Sequence, residues 1–248
     1  MAKTAQFLFI LLIKFVITIS PIEPAPATVI SETCKANCSS PYGSVIGRFN
    51  NVTAYSNCND DCINWDDSGV NWTTNLTGLA RDVFVGIRWQ CVEYARRYLI
   101  INFNVAFTSI DCAYQIFNLT EVNDLSTKQG TFEFRTFPNG DTTPPQIGDL
   151  IISPEKPGYP VGHVAVVSEV DLKSGYVALA EQNFFNKQWE NSDAYSRRIM
   201  LHNCEGRYVL TETPWNFVKS NSRRNDKTCL EDLKDVLGWK RVILVQEK

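Results

Sequence analysis

The chain predicts an α+β fold, with one helix early in the sequence packed on an antiparallel sheet that follows it. Three observations point there. From residue 90 the positions Val92, Ala95, Tyr98, Leu99 and then Asn102 to Phe103, most of them apolar, recur at helical spacing, with Glu93, Arg96 and Arg97 on the other side. From residue 150 the period becomes two, over 150–153, 163–170, 176–183, 197–201 and 207–213, and Gly, Pro, Asn and Ser clusters separate the runs. The chain has 248 residues, is 44% hydrophobic and carries a net charge of only −3, which suits one core and is short for two domains.

Taken in order, residues 1–27 read as a secretory signal peptide. Lys3 precedes an apolar stretch at 7–19, interrupted by Lys14, and Ala25-Pro26-Ala27 supplies the small-residue cleavage pattern. The stretch is too short for an uncleaved membrane anchor, so the expected location is extracellular or the secretory-pathway lumen, without stable membrane insertion. Asn-x-Ser/Thr triplets at Asn37, Asn51, Asn71, Asn75 and Asn118 are glycosylation candidates in that setting.

Residues 28–62 form a Cys-rich extension, partly overlapping from about residue 41 the start of the main domain, which is set at 63–245. The stretch 28–85 is rich in Asn, Ser, Thr, Gly and Asp, with little periodicity, and predicts a loop-rich wrap. Its Cys34, Cys38, Cys58 and Cys62 make two C-x3-C units. Zinc is the alternative for such a quartet, but an oxidising compartment and the wide spacing favour disulfides, with connectivity open. Cys204 and Cys229 are further disulfide candidates. If Cys91 is free, seven cysteines remain, so one more thiol should be unpaired, and Cys112 in its apolar stretch is the choice for a buried one.

A helix of about 14 residues should begin at Cys91 or one residue earlier. A shorter helix fits 111–119, and Phe137-Pro138-Asn139-Gly140 has turn chemistry. The pairs Arg197-Arg198 and Arg223-Arg224 are isolated and read as solvated surface, so nucleic acid is not an expected partner.

The chemistry starts at Cys91. A thiol attacks as thiolate, and at a helix N-terminus unpaired amide N–H groups and the helix dipole favour that charge while also suiting a carbonyl oxyanion. The chain has two histidines. His163 opens an apolar strand, whereas His202 sits in a polar turn. If Val170 faces Tyr176 in a hairpin, Asn183 lies opposite His163 and Glu181 diagonal to it on the same face. One hairpin would then supply an imidazole and two groups to hold its ring, as a Cys/His pair requires.

The motifs Gly86-Ile87-Arg88-Trp89-Gln90-Cys91-Val92-Glu93-Tyr94-Ala95-Arg96-Arg97, Phe137-Pro138-Asn139-Gly140, Gly162-His163-Val164-Ala165 and Ala180-Glu181-Gln182-Asn183 resemble the CHAP family of cysteine amidases and peptidases. Within it, the resemblance is nearest to the amidase domain of bifunctional glutathionylspermidine synthetase/amidases. It implies a papain-like fold whose N-terminal helix bears the nucleophile Cys91, with His163 as base and Glu181 and Asn183 at the third and an auxiliary position. The Cys91 amide with Gln90, beside Trp89, would line the oxyanion and substrate site. No metal or organic cofactor is implied.

The ATP-dependent synthetase half has no counterpart in these residues, so formation of the amide bond is not expected. The reaction expected is hydrolysis of an amide or peptide bond through an acyl-enzyme. Secretion favours bacterial peptidoglycan peptides, and the nearest resemblance favours polyamine amides of glutathione. An inactive CHAP domain that binds wall peptides is the competing class.

Overall fold

The computed structural model describes residues 30–64, 70–72, 83–126, 130–157, 159–214 and 234–244. The proposed leader, Asn75, Arg223, Arg224 and Cys229 lie outside these residues. In chain order the elements are β1 (Val45–Phe49), β2 (Val52–Tyr55), β3 (Val70–Trp72), β4 (Phe84–Ile87), α1 (Cys91–Phe103), β5 (Val105–Ala106), β6 (Glu121–Asp124), β7 (Thr131–Pro138), β8 (Leu150–Ser153), β9 (His163–Asp171), β10 (Tyr176–Ala180), β11 (Arg197–Cys204), β12 (Arg207–Pro214) and β13 (Gly238–Ile243). This is the α+β arrangement, one helix against a large antiparallel sheet.

Nine strands form one sheet in the order β12-β11-β10-β9-β8-β13-β7-β6-β5. The sheet curls until its ends meet. Beyond β7, Asn139 exchanges two hydrogen bonds with the Leu210 backbone of β12. Gly140 N–H donates to Tyr208 O, and Tyr208 N–H to Asp141 O. Strands β12 through β7 thus close into a barrel. Its interior collects Ile151, Ala165, Val167, Val177, Leu179, Ile199, Leu210 and Trp239. The alternate residues Leu150, Ile152, Val164, Val166 and Ala180 point outward under α1, with Tyr94, Ala95, Tyr98 and Leu99. Because both faces are covered, β8, β9 and β10 read as nearly unbroken apolar runs, where a sheet with one wet face would alternate.

Helix α1 starts at Cys91 behind the extended N-cap Gln90, whose side chain does not cap it, and ends at Asn104 in the left-handed conformation. Its charged side does not face water. Glu93, Arg96 and Arg97 are buried, and Arg97 Nε donates to Glu93 Oε1 at 2.7 Å across one helical turn. Burial is tolerated because every charge has partners: Arg97 also donates to Thr53 O, and Arg96 to the carbonyls of Phe107 and Phe84.

The N-terminal stretch is more ordered than its composition predicts. β1 and β2 form a hairpin that buries Ile46, Val52 and Ala54 in the helix-side core. Trp189 N–H donates to Ile46 O, and the Trp189 ring lies so close to Gly47 that a Cβ there would come within 2.1 Å of it. Polar turn residues masked a short pattern too brief for periodicity to register. Two disulfides join described residues, Cys34–Cys62 and Cys38–Cys58. Cys204 is also disulfide-bonded. Cys91 and Cys112 are free, but Cys112 is half-exposed at the start of a 3-10 turn, Ala113–Asn118, and is not the buried thiol expected. Asn37, Asn51 and Asn118 are exposed.

Candidate active site

Gly162 decides how β9 begins. Its φ is +66°, and a Cβ there would lie 2.6 Å from Ser153 O and 3.2 Å from Tyr114 Cβ. The strand therefore opens on His163, level with Ser153 of β8, at the rim of the barrel. Cys91 lies at the start of α1, which packs on β9, and its thiol hydrogen-bonds the His163 ring. Both residues are buried, at 5% and 6% exposure, on the wall of a cleft of about 560 Å³.

The ring nitrogen Nε2 of His163 is 2.9 Å from Glu181 Oε2, which leaves Nδ1 to face the thiol. Glu181 is held in turn by Arg197, whose Nε donates to Oε1 at 2.8 Å and whose Nη2 reaches Oε2 at 3.3 Å. Arg197 Nη1 donates to Glu212 Oε2 at 2.7 Å, and Ser153 Oγ donates to Glu212 Oε1 at 2.8 Å. By strand alternation these residues share the inward face with Ile151, Leu179, Ile199 and Leu210. They form a polar row across one end of the barrel. The Phe184 ring covers it, 5.0 Å from His163 and 4.0 Å from the Arg197 guanidinium.

This row sets the electrostatics. Burial alone would push the Cys91 thiol up, but the His163 hydrogen bond and charge, with the N–H groups of Val164 and Val92, outweigh it and hold the pKa below that of an ordinary cysteine. Burial would lower His163, yet Cys91 and Glu181 on its two sides push it up to about 10. Glu181, despite burial, is held at about 2, chiefly by Arg197 and then His163. Both shifts run toward a thiolate beside an imidazolium, with a fixed carboxylate behind.

Of the predicted residues, Cys91, His163 and Glu181 meet in this way. The hairpin register at the turn differs from the one assumed: Val170 pairs with Val177, and Tyr176 with Asp171. A bulge at Ala178/Leu179 then shifts the pairing, so Ala180 opposes Val166 and Glu181 ends diagonal to His163 after all. β10 stops at Ala180, and Asn183 turns away with φ +57°. It does not hold His163. Its Nδ2 donates to Gln90 Oε1 at 2.8 Å. Gln90 lines the cleft, whereas Trp89 lies behind it, packed on Tyr55 with centroids 4.1 Å apart and ring planes tilted by 32°.

Residues the sequence reading passed over do much of the positioning. Gln182 is fully buried and donates to Glu93 Oε2 and Gln90 O, while accepting from Arg97 and Tyr55 N–H. It pins the loop after β10 to the helix start. Arg197, read as solvated surface, is an internal cation whose side chain is 13% exposed. Its register with Ile199, and that of Glu212 with Leu210, put charged residues on core-facing positions. That mismatch was the available signal.

Residues 82–183 match the CHAP domain family. The chain is 32% identical over 133 residues to the bifunctional glutathionylspermidine synthetase/amidase of Escherichia coli (strain K12), covering 53% of this chain and 21% of that protein. It is 31% identical over 173 residues to trypanothione synthetase of Crithidia fasciculata, covering 69% of this chain and 24% of the relative. A glutathionylspermidine synthase of the same organism is 35% identical over 134 residues, 52% of this chain and 18% of its own length. The chain thus spans between a fifth and a quarter of the length of the first two relatives. The matched residues include the helix start, the β9 rim and the loop after β10, so this chain carries a CHAP domain, of the cysteine amidase and hydrolase kind, over residues 82–183.

Proposed function

We propose that this chain is a secreted amide hydrolase in which Cys91 is the nucleophile, His163 the acid and base, and Glu181 the group that orients and charges the imidazole. The buried Cys91–His163–Glu181 line, opening on a cleft, carries this reading. Cys91 Sγ adds to the carbonyl carbon of the substrate amide. The oxyanion is received by the unpaired N–H groups at the start of α1, with Gln90 beside them. As the tetrahedral intermediate collapses, the C–N bond breaks and the imidazolium gives its proton to the leaving amine. Water, deprotonated by His163, then attacks the thioester; the acid leaves and the thiol is restored.

For the substrate, Asp60 and Asp111 both line the cleft and are exposed there, which suits a leaving amine that carries further positive charge. A spermidine amide of glutathione has that chemistry, in keeping with the names of the relatives. A peptidoglycan cross-link with a free amine is the second source, favoured by the disulfides and the leader-like N-terminus. Extracellular location rests on those same two features. Among the described residues, no helix is long and apolar enough to cross a membrane.

The test is mass spectrometry of products after incubating the protein, and its Cys91→Ala variant, with glutathionylspermidine and separately with purified peptidoglycan. Spermidine released by the wild type alone supports the first source, and new muropeptide amines the second. Turnover retained by Cys91→Ala would exclude the mechanism.

A further inference from the structure

The cleft has one wall that lies outside the CHAP match, and that wall is the disulfide-stapled loop 57–63. Asp60 and Ile63 line the cleft beside Gln90 and Cys91. Cys62 and Cys58 anchor the loop to Cys34 and Cys38. Its hydrogen bonds to the site come from one fully buried amide, Asn57, and from the Cys62 carbonyl.

Asn57 Oδ1 accepts a hydrogen bond from Trp89 N–H at 3.1 Å. Its Nδ2 donates to Cys62 O at 2.8 Å and to Asn183 Oδ1 at 3.1 Å. Asn183 Nδ2 donates to Gln90 Oε1, and Gln90 Nε2 donates to Cys62 O at 2.9 Å. A backbone N–H only donates and a backbone carbonyl only accepts, so Trp89 and Cys62 fix which way the first and last amides point. Asn183 has one orientation that satisfies both neighbours. The result is a closed ring of amides in which Gln90 must present its N–H₂ end, not its oxygen. One of its hydrogens is bound by Cys62 O, and because Gln90 lines the cleft the other can meet a ligand there.

We infer that Asn57 is a positioning residue of the oxyanion site, acting through Asn183 and Gln90, and that the stapled loop is therefore part of the catalytic apparatus. This rests on the amide-hydrolase reading above. N57D would put an acceptor where Asn57 Nδ2 now faces Cys62 O and Asn183 Oδ1. Asn183 Oδ1 also accepts from Asn186 Nδ2, so no turn of Asn183 or Gln90 restores every bond, and Gln90 loses the orientation that presents its N–H₂ to the developing oxyanion.

The experiment compares N57D and Asn57→Ala with the wild type in amide turnover, in the rate at which iodoacetamide alkylates Cys91, and in thermal unfolding. Alkylation is displacement at a saturated carbon and forms no oxyanion, so it reads the thiolate–imidazolium pair alone. We expect kcat to fall about tenfold to a hundredfold, less than the ~10²–10³ for deleting an oxyanion donor, with KM and alkylation within about twofold. In a Gln90→Ala background, Asn57→Ala should cost almost nothing further. Unchanged kcat, a parallel loss of kcat and alkylation, or additive effects with Gln90→Ala would each overturn the inference. If neither Asn57 variant folds, Asn183→Ala cuts the same ring and carries the same expectations. Failure of the underlying reading looks different: Cys91→Ala would keep turnover, or wild-type Cys91 would alkylate like a free cysteine.

Discussion

His163 Nε2 stands 2.9 Å from Glu181 Oε2 while Arg197 Nε stands 2.8 Å from Glu181 Oε1, so one buried carboxylate is shared between an imidazole and a guanidinium. Each cation draws on the same negative charge. The imidazole ring is held firmly, but part of the support that would otherwise raise His163 further is taken by Arg197.

Glu181→Gln keeps an acceptor for His163 and removes the charge. It should lower kcat/KM by about 10²–10⁴, because the imidazolium that forms beside Cys91 loses its counter-charge. The alkaline limb of the pH–rate profile should also move to lower pH, since Glu181 is one of the groups that raise His163. Initial rates across pH check both.

Arg197→Met leaves Glu181 and Glu212 buried without the cation between them. Losing one partner of such a network typically costs about 3–5 kcal/mol, and urea unfolding should read a loss of that order. Glu181 would titrate higher, so the acid limb of activity should move up in pH. Arg197→Lys keeps the charge but not the fork, and should fall between the two.

Iodoacetamide should alkylate Cys91 at pH values where an ordinary cysteine is inert, because its pKa is lowered, while half-exposed Cys112 serves as an internal control. Turnover should rise as the thiolate forms and decline as His163 loses its proton near pH 10. A labelling profile that overlays that of free cysteine would contradict the ion pair.

The same groups tie stability to pH. Glu181, held at about 2, contributes stability that is complete above its ordinary 4.5 and is lost as pH falls toward 2. His163, raised to about 10, contributes stability present below its ordinary 6.5 and lost as pH rises through 10. As far as these two decide it, the plateau lies between 4.5 and 6.5. Denaturant midpoints at about pH 3, 5.5 and 9 should be highest at the middle value.

Cys34 and Cys62 are 28 residues apart, and Cys38 and Cys58 are 20 apart. The loops closed predict about 3–4 kcal/mol of stabilisation from each bridge. Replacing Cys34 and Cys62 together by Ala should lower the urea midpoint accordingly and reduce kcat in the folded protein, since the Cys62 carbonyl anchors Gln90.

Local features were legible from sequence because they depend on near neighbours. The 3.6-residue period from Cys91 marks α1; Gly162 before His163 and the apolar run that follows mark the β9 rim. The order Cys91, His163, Glu181 follows from motif and spacing. What only the tertiary structure decided is which face of each strand becomes the inside of the barrel. Closure through Asn139, Asp141 and Tyr208 takes Arg197, read from sequence as surface, into one internal row with Glu212 and Ser153. A bulge that no residue pattern announces sets Glu181 under His163, and the left-handed turn at Asn183 sends its amide to Gln90. The physical reason is that period and spacing report one strand's alternation. Charge burial and amide orientation depend on partners as far as 129 residues away, as between Asn57 and Asn186.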